Sequence, residues 1–141
     1  MIKVLFVCHG NICRSPMAEF VLKALAAEAG VEMAVSSAAV SREELGNHVY
    51  GPARRELQRH GIACDGHRAH QITAQEYKTV DRVYYMDESN RRALTRLLPD
   101  MEKCRPLLVE HDVADPWYTG NFLETWQDVL TGCRRILEEF V

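Results

Sequence analysis

The stretch "IKVLFVCHGNICRSPMAEFVLKALAAEAG", residues 2–30, decides the fold. Residues 2–7 form a continuous apolar run rich in β-branched side chains, the pattern of a strand buried on both faces. From Pro16 the pattern changes. Proline suits the first turn of a helix, where its missing N–H costs nothing. Met17, Phe20, Val21, Ala24 and Leu25 then recur at helical spacing until Gly30 stops them. The spacing predicts a strand over 2–7, a helix over 16–29, and between them a tight loop that carries a thiol at Cys8, a guanidinium at Arg14 and small polar residues.

Working outward, the same alternation continues. A second strand is expected over 32–37, and a helix over 51–61, with Pro52 near its start and Gly61 at its end. Thr73 with Glu76 has the pattern of a capping box over 73–80. A third strand follows over 82–86, and a short helix over 89–98 is closed by Pro99. Residues 104–109 read as a weaker fourth strand, confined to an edge by Pro106. Asn121 and Glu124 open a last helix, whose apolar stripe runs through Trp126, Val129, Cys133 and Ile136. Strands alternating with helices imply a mostly parallel sheet with helices on both faces. In such sheets ligands bind beyond the carboxyl ends of the strands. The Cys8–Arg14 loop begins at one.

The 141 residues suit one domain, 1–141. A formal net charge of −3 gives no bulk electrostatic case for nucleic acid or a membrane surface. No apolar run approaches the roughly 18 residues that span a bilayer. The N-terminal run is too short for a signal-peptide core. Five cysteines without a disulfide-like spacing fit a reducing cytoplasm; secretion without a signal peptide is left open.

An arginine six positions after a cysteine is weak by itself, since this composition predicts about half of one such pair by chance. Its setting between a buried strand and a helix is what counts. Gly10 and Asn11 are the residue types that most readily adopt the left-handed backbone of an anion-binding nest. The following helix N-terminus adds partial positive charge, and Arg14 adds a fork suited to phosphate oxygens. No Lys–Ser/Thr pair follows a second glycine, so this is not a nucleotide P-loop. A thiol in such surroundings is favoured as thiolate, and Ser15 is placed to hydrogen-bond it. The plainer reading, a small core cysteine, leaves Asn11, Arg14 and Ser15 unexplained. Phosphoryl transfer to a thiolate also needs an acid for the leaving oxygen. Asp115 in "ADPWYTGN", after the last strand, is the best of the seven aspartates. Trp117 and Tyr118 beside it can wall an entrance for an aryl group.

These residues resemble a family. "VCHGNICRSPMAE", "SSAAV" at 36–40, "GH" at 66–67, "MDESN" at 86–90 and "DPWYTGNF" at 115–122 are similar to the motifs of the low-molecular-weight protein tyrosine phosphatases, in order and spacing over essentially the whole chain. The resemblance implies a three-layer α/β fold around four parallel strands in the order 2-1-3-4. It also implies hydrolysis of protein phosphotyrosine and small aryl phosphates through a phosphocysteine. Cys8 would be the nucleophile, Arg14 the phosphate clamp and Asp115 the general acid and then base. His9, Gly10, Asn11, Ile12, Cys13, Arg14 and Ser15 would cradle the phosphate. Asn11, Ser15, Ser37 and His67 would hold the loop in shape, and Cys13 would be the partner of Cys8 in a reversible disulfide. Glu43, Trp117 and Tyr118 would line the pocket wall. His9 stands where many relatives are apolar or small, which implies a more polar pocket floor; Glu43 stands where some carry a tryptophan. Tyrosine-phosphorylated proteins are the implied partners. A tyrosine kinase is a second partner class, and the sequence leaves open whether Tyr118 is phosphorylated. Oligomeric state, monomer or weak dimer, is also left open.

No cofactor or metal is implied. Cys64, His67 and His70 lie three residues apart, but no second ligand cluster follows. The arginine pairs at 54–55, 91–92 and 134–135 read as solvated helix faces, with a second use as guides for acidic partners. Two rivals share the loop. A thioredoxin-coupled arsenate reductase needs relay cysteines between Cys64 and Cys104, and none is present. A non-catalytic phosphotyrosine-binding or redox-sensing module has no need of Asp115.

Overall fold

A computed structural model describes all residues, 1–141. Strand β1 (Ile2–Cys8) lies inside a four-stranded sheet of order β2-β1-β3-β4, with β2 at Met33–Ala39, β3 at Arg82–Tyr85 and β4 at Cys104–Pro106. Every pairing is parallel. The side chains of β1 alternate between two cores, as the period of a strand requires. Val4, Phe6 and Cys8 enter one, with helices α1 (Arg14–Ala29), α2 (Gly51–Arg59) and α6 (Phe122–Glu138). Leu5 and Val7 enter the other, with α3 (Ala74–Thr79) and α4 (Glu88–Leu97). This explains why the sequence of β1 is continuously apolar. Burying each such side chain contributes roughly 1.5–3 kcal/mol.

Three boundaries differ from the sequence reading by two residues or more in ways that bear on the site. Helix α1 starts two residues earlier, at Arg14, which leaves Pro16 still inside the first turn, where no intrahelical N–H is needed. Strand β2 runs on to Ala39, because its pairing with β1 continues to the Cys8–Ala39 pair, where Ala39 also bridges to Gln71. Strand β4 ends at Pro106: one more bond, Leu107 N–H to the Tyr85 carbonyl at 2.9 Å, closes the edge. Leu107 and Leu108 then turn into the core beneath α6. There Leu107 lies so close to Gly132 that a Cβ would come within 2.5 Å of it. The capping box at Thr73 is half formed. Thr73 accepts from the Glu76 amide, but the Glu76 carboxylate pairs with His70 instead. The complete box is at α4, between Asp87 and Asn90. A short helix, α5 (Pro116–Thr119), capped by Asp115, was not anticipated.

The carboxyl end of β1 is pinned on one side by β2. Val40 and Ser41 donate to the carbonyls of Cys8 and His9 at 3.0 and 3.1 Å. The next residues turn back over the sheet and become α1.

Candidate active site

The loop between Cys8 and Arg14 is shaped by one residue in a left-handed conformation, Asn11, at φ 60°. Gly10 is not left-handed, contrary to the nest geometry expected from the sequence. Its lack of a side chain serves close approach: a Cβ would sit 3.2 Å from Cγ of Glu44.

Asn11 is fully buried, and every polar atom of its side chain is used. Its Oδ1 accepts from the His70 amide at 3.3 Å, which fixes the orientation of the group. Its Nδ2 donates to Ser15 Oγ at 2.8 Å and Ser37 Oγ at 2.9 Å. The Ser37 hydrogen goes to Glu19 Oε1 at 2.6 Å, and Glu19 is held in turn by Lys23. The Ser15 oxygen accepts from Asn11 and has one hydrogen to place between the Cys8 sulfur at 3.0 Å and the Ala38 carbonyl at 3.4 Å. The Ser15 amide also points to that sulfur, at 3.4 Å. Nε2–H of His67 donates to the Asn11 carbonyl at 2.8 Å, and the Tyr50 amide donates to the Ile12 carbonyl at 2.8 Å. A chain of fully satisfied buried polar groups holds the loop from behind, the kind of network that rigidifies a site.

The front of the loop is the opposite. None of the backbone amides from His9 to Arg14 donates to an acceptor in the protein. Such groups are paired in the great majority of cases when buried. Here all but Asn11 belong to residues that line a cavity of about 360 Å³.

Arg14 is almost fully buried. Its Nη1 donates to Asp87 Oδ2 at 2.7 Å and to the Val113 carbonyl at 2.8 Å; its Nη2 reaches Asp115 Oδ2 at 3.4 Å. Burial works against its charge, but Cys8, Asp87 and Asp115 outweigh burial, so its pKa stands above the usual guanidinium value. Asp115 caps α5, accepting from the Trp117 amide at 3.0 Å. Burial, then the nearby negative charges of Cys8 and Asp115, push the Cys13 thiol well up.

Cys8, Cys13, Arg14, Asp115, Trp117 and Tyr118 therefore face one cavity, with Glu43 and Glu44 across its mouth. Trp117 and Tyr118 are 53% and 85% exposed. The Trp117 ring lies 4.8 Å from that of Tyr50, on the segment that leads into α2. Asn11, Ser37 and His67 sit behind the loop. His9 corrects an expectation: its side chain is not on the pocket floor. Strand β1 ends at Cys8, and the His9 side chain emerges half-exposed at the rim, where Nε2 pairs with Glu43 at 2.8 Å. Cys64 is buried apart from this cavity, and His70 is paired to Glu76. No group of three or more His, Cys, Asp or Glu side chains is arranged to hold a metal.

Sequence reasoning missed four contributors: Asp87, Glu19, Glu44 and Tyr50. Asp87 had a readable signal, since Asp-x-x-Asn directly after the third strand places an N-cap carboxylate at the same sheet end as the loop. Glu19, buried one turn into α1 at a position read as part of a plain helix, had none beyond its charge.

A thiol and a guanidinium on one strand-to-helix turn of a parallel sheet, facing an aspartate from a distant loop, define a hydrolase site for an anionic ester. Comparison with known proteins agrees and narrows it. The profile of the low molecular weight phosphotyrosine protein phosphatase family matches residues 3–141, and the chain belongs to that family. A low molecular weight protein-tyrosine-phosphatase of Bacillus subtilis, YfkJ, is 40% identical over 97% of this chain and 94% of its own. Its crystal structure superposes with a TM-score of 0.94, over 99% of this chain and 94% of that one. The human low molecular weight phosphotyrosine protein phosphatase is 38% identical over 96% of this chain and 94% of its own. A crystal structure of the low molecular weight protein tyrosine phosphatase of Streptococcus pyogenes, 37% identical, covers all of this chain and 94% of that one at a TM-score of 0.91. The parallel order 2-1-3-4 is thus the family's fold, and the protein is a hydrolase of this family.

Proposed function

We propose that residues 1–141 act as one phosphatase domain that removes phosphate from protein phosphotyrosine, and from small aryl phosphates, through a phosphocysteine on Cys8. One observation carries the reading: six successive amides, His9 to Arg14, without a protein acceptor, in the loop between the Cys8 sulfur and Ser15, whose amide and hydroxyl both contact that sulfur. Three equatorial oxygens of a phosphoryl group would accept from these amides and from Arg14, whose Nε–H donates to no protein group. Donors fixed in advance stabilise the transition state without reorganising, which is where phosphoryl-transfer enzymes gain most.

In the first step the Cys8 thiolate attacks phosphorus in line. The P–O bond breaks, its electron pair leaves on the phenolate oxygen, and Asp115 supplies the proton. Asp115 must leave its contact with Arg14 to do so, and its place at the N-cap of a four-residue helix allows that. In the second step the Asp115 carboxylate takes a proton from water, whose oxygen attacks phosphorus. The S–P bond breaks, and the sulfur leaves as a thiolate that Ser15 hydrogen-bonds. Trp117 and Tyr118 flank the aryl ring. Tyr118 is also accessible to a tyrosine kinase as a second partner.

Cys13 is the redox partner in this reading. Peroxide converts the Cys8 thiolate to a sulfenic acid with loss of hydroxide. The Cys13 thiol then condenses with it, releasing water and forming a disulfide. Free thiols at all five cysteines fit a reducing compartment, and we place the protein in the cytoplasm.

The test is a kinetic comparison of phosphotyrosine peptides, phosphoserine peptides and sugar phosphates, with and without chelator, in the wild type and in Cys8→Ser. Phosphotyrosine turnover that is insensitive to chelator and abolished in Cys8→Ser is expected. Full activity in that variant would end the proposal.

A further inference from the structure

The segment that walls the active site has a second cavity on its other side. Helix α5 presents Trp117 and Tyr118 to the catalytic cavity, while the residues that follow, Gly120, Asn121 and Phe122, border a second hollow of about 390 Å³ against α2. Arg55 and Arg59, one turn apart on α2, lie along it. Tyr50, immediately before α2, packs against both Trp117 and Phe122, with centroids at 4.8 and 6.1 Å, and its amide is bonded to the Cys8–Arg14 loop. The two hollows therefore share one wall and one anchor.

Their charges are opposite. The catalytic mouth carries Glu43 and Glu44. The second hollow carries two arginines against the single carboxylate of Glu56. Glu56 is buried and already divided between Arg59 and His60, at 2.8 and 2.9 Å. In the other arginine pairs one member is engaged: Arg91 with Glu88, and Arg135 with Glu110. On α2 it is Arg54, which pairs with Asp65, whereas Arg55 makes no ion pair. Arg55 is the unengaged cation that also lines a hollow continuous with the active-site wall.

We propose that this hollow is a subsite for an acidic side chain, aspartate, glutamate or a second phosphorylated residue, flanking the phosphotyrosine of a peptide substrate. The proposal rests on the phosphotyrosine reading above and names the substrate class within it. The wall between the hollows is the short α5 and the turn after it, and the width of a helix, about 10 Å, sets its scale. An extended peptide covers that in roughly three residues at 3.3 Å each, so the acidic residue lies about three positions from the phosphotyrosine. Glu43 and Glu44 disfavour acid on the other flank, which gives the bound peptide a direction.

The test uses the full chain and phosphotyrosine peptides with Glu, Gln or Lys placed two to four residues before or after the phosphotyrosine, and p-nitrophenyl phosphate as a substrate too short to reach the hollow. Exposed ion pairs set the scale. In wild type kcat/KM should favour Glu over Lys on one flank by about two- to fivefold, and the preference should shrink in high salt. Arg55→Glu should reverse it, and Arg59→Gln should weaken it, with kcat/KM for p-nitrophenyl phosphate unchanged in both. Equal rates for Glu and Lys peptides in wild type, or a preference that survives Arg55→Glu, would overturn the subsite while leaving the hydrolase reading intact. Absent turnover of p-nitrophenyl phosphate by the wild type would overturn both.

Discussion

Two segments meet at the active site, and they are built differently. The Cys8–Ser15 loop is buried except at His9 and Gly10, and it is held by a chain of hydrogen bonds from Lys23 through Glu19, Ser37, Asn11 and Ser15 to the Cys8 sulfur. The Ala114–Asn121 segment lies at the surface. Its aromatic rings are exposed, and its link to the loop is a single 3.4 Å contact between Asp115 and Arg14. In the proposed mechanism, binding belongs to the rigid half and proton transfer to the adjustable half. An anion cradle gains from fixed dipoles. An acid that must reach different leaving oxygens, and then a water, gains from freedom.

The division can be broken from either side. Removing the proton donor should have the largest effect. Asp115→Ala should lower kcat by about 10²–10⁴ on phenyl phosphate, the range for general acid–base catalysis, and by less on p-nitrophenyl phosphate, whose leaving group needs less protonation. Steady-state kinetics on a series of phenols checks this, and equal losses across the series would remove Asp115 from the role. Next comes Asp87→Asn. It takes away the closest partner of a buried guanidinium, and breaking such a pair destabilises by about 3–5 kcal/mol. A lower Tm and a raised KM are expected from thermal melts and kinetics, with the leaving-group dependence kept, because the acid is untouched. Trp117→Ala should be mildest, a few-fold rise in KM for aryl phosphates without a change in Tm, since the ring is half exposed and packs on Tyr50. A large loss of stability there would mean that the adjustable half is not adjustable. In the rigid half a conservative change is expected to cost more: Asn11→Ala removes the hub of the network and leaves Ser37 and Ser15 without their donor.

The same contrast governs what the sequence reveals. The rigid half is legible because it follows local rules: a doubly buried strand, a loop that needs a left-handed residue, a helix begun within a turn of a proline. The parallel sheet and the placing of Cys8, Arg14 and Ser15 follow from residues 2–30 and the alternation beyond them. What is not legible depends on contacts distant in sequence. Glu19 gains its role only when β2 brings Ser37 beside α1. The capping role of Asp87 is readable, but its pairing with Arg14 exists only because β3 is the neighbour of β1. Gly10 looks like a conformational glycine until Glu44 is found packed against it. His9 looks like a floor residue until the end of β1 turns its side chain to the rim. In each case the chemistry of the residue is plain and its neighbour is not.

The claim on which the account stands is that phosphate passes through sulfur. Asp115→Ala gives the most direct view of it. With p-nitrophenyl phosphate the first step keeps a good leaving group, while the second loses its base, so the intermediate should accumulate. Rapid quenching followed by peptide mass spectrometry should then find phosphate on Cys8 in near-stoichiometric amount, matched by a burst of nitrophenolate. Turnover with no covalent phosphate on the protein, or phosphate on another side chain, would contradict it.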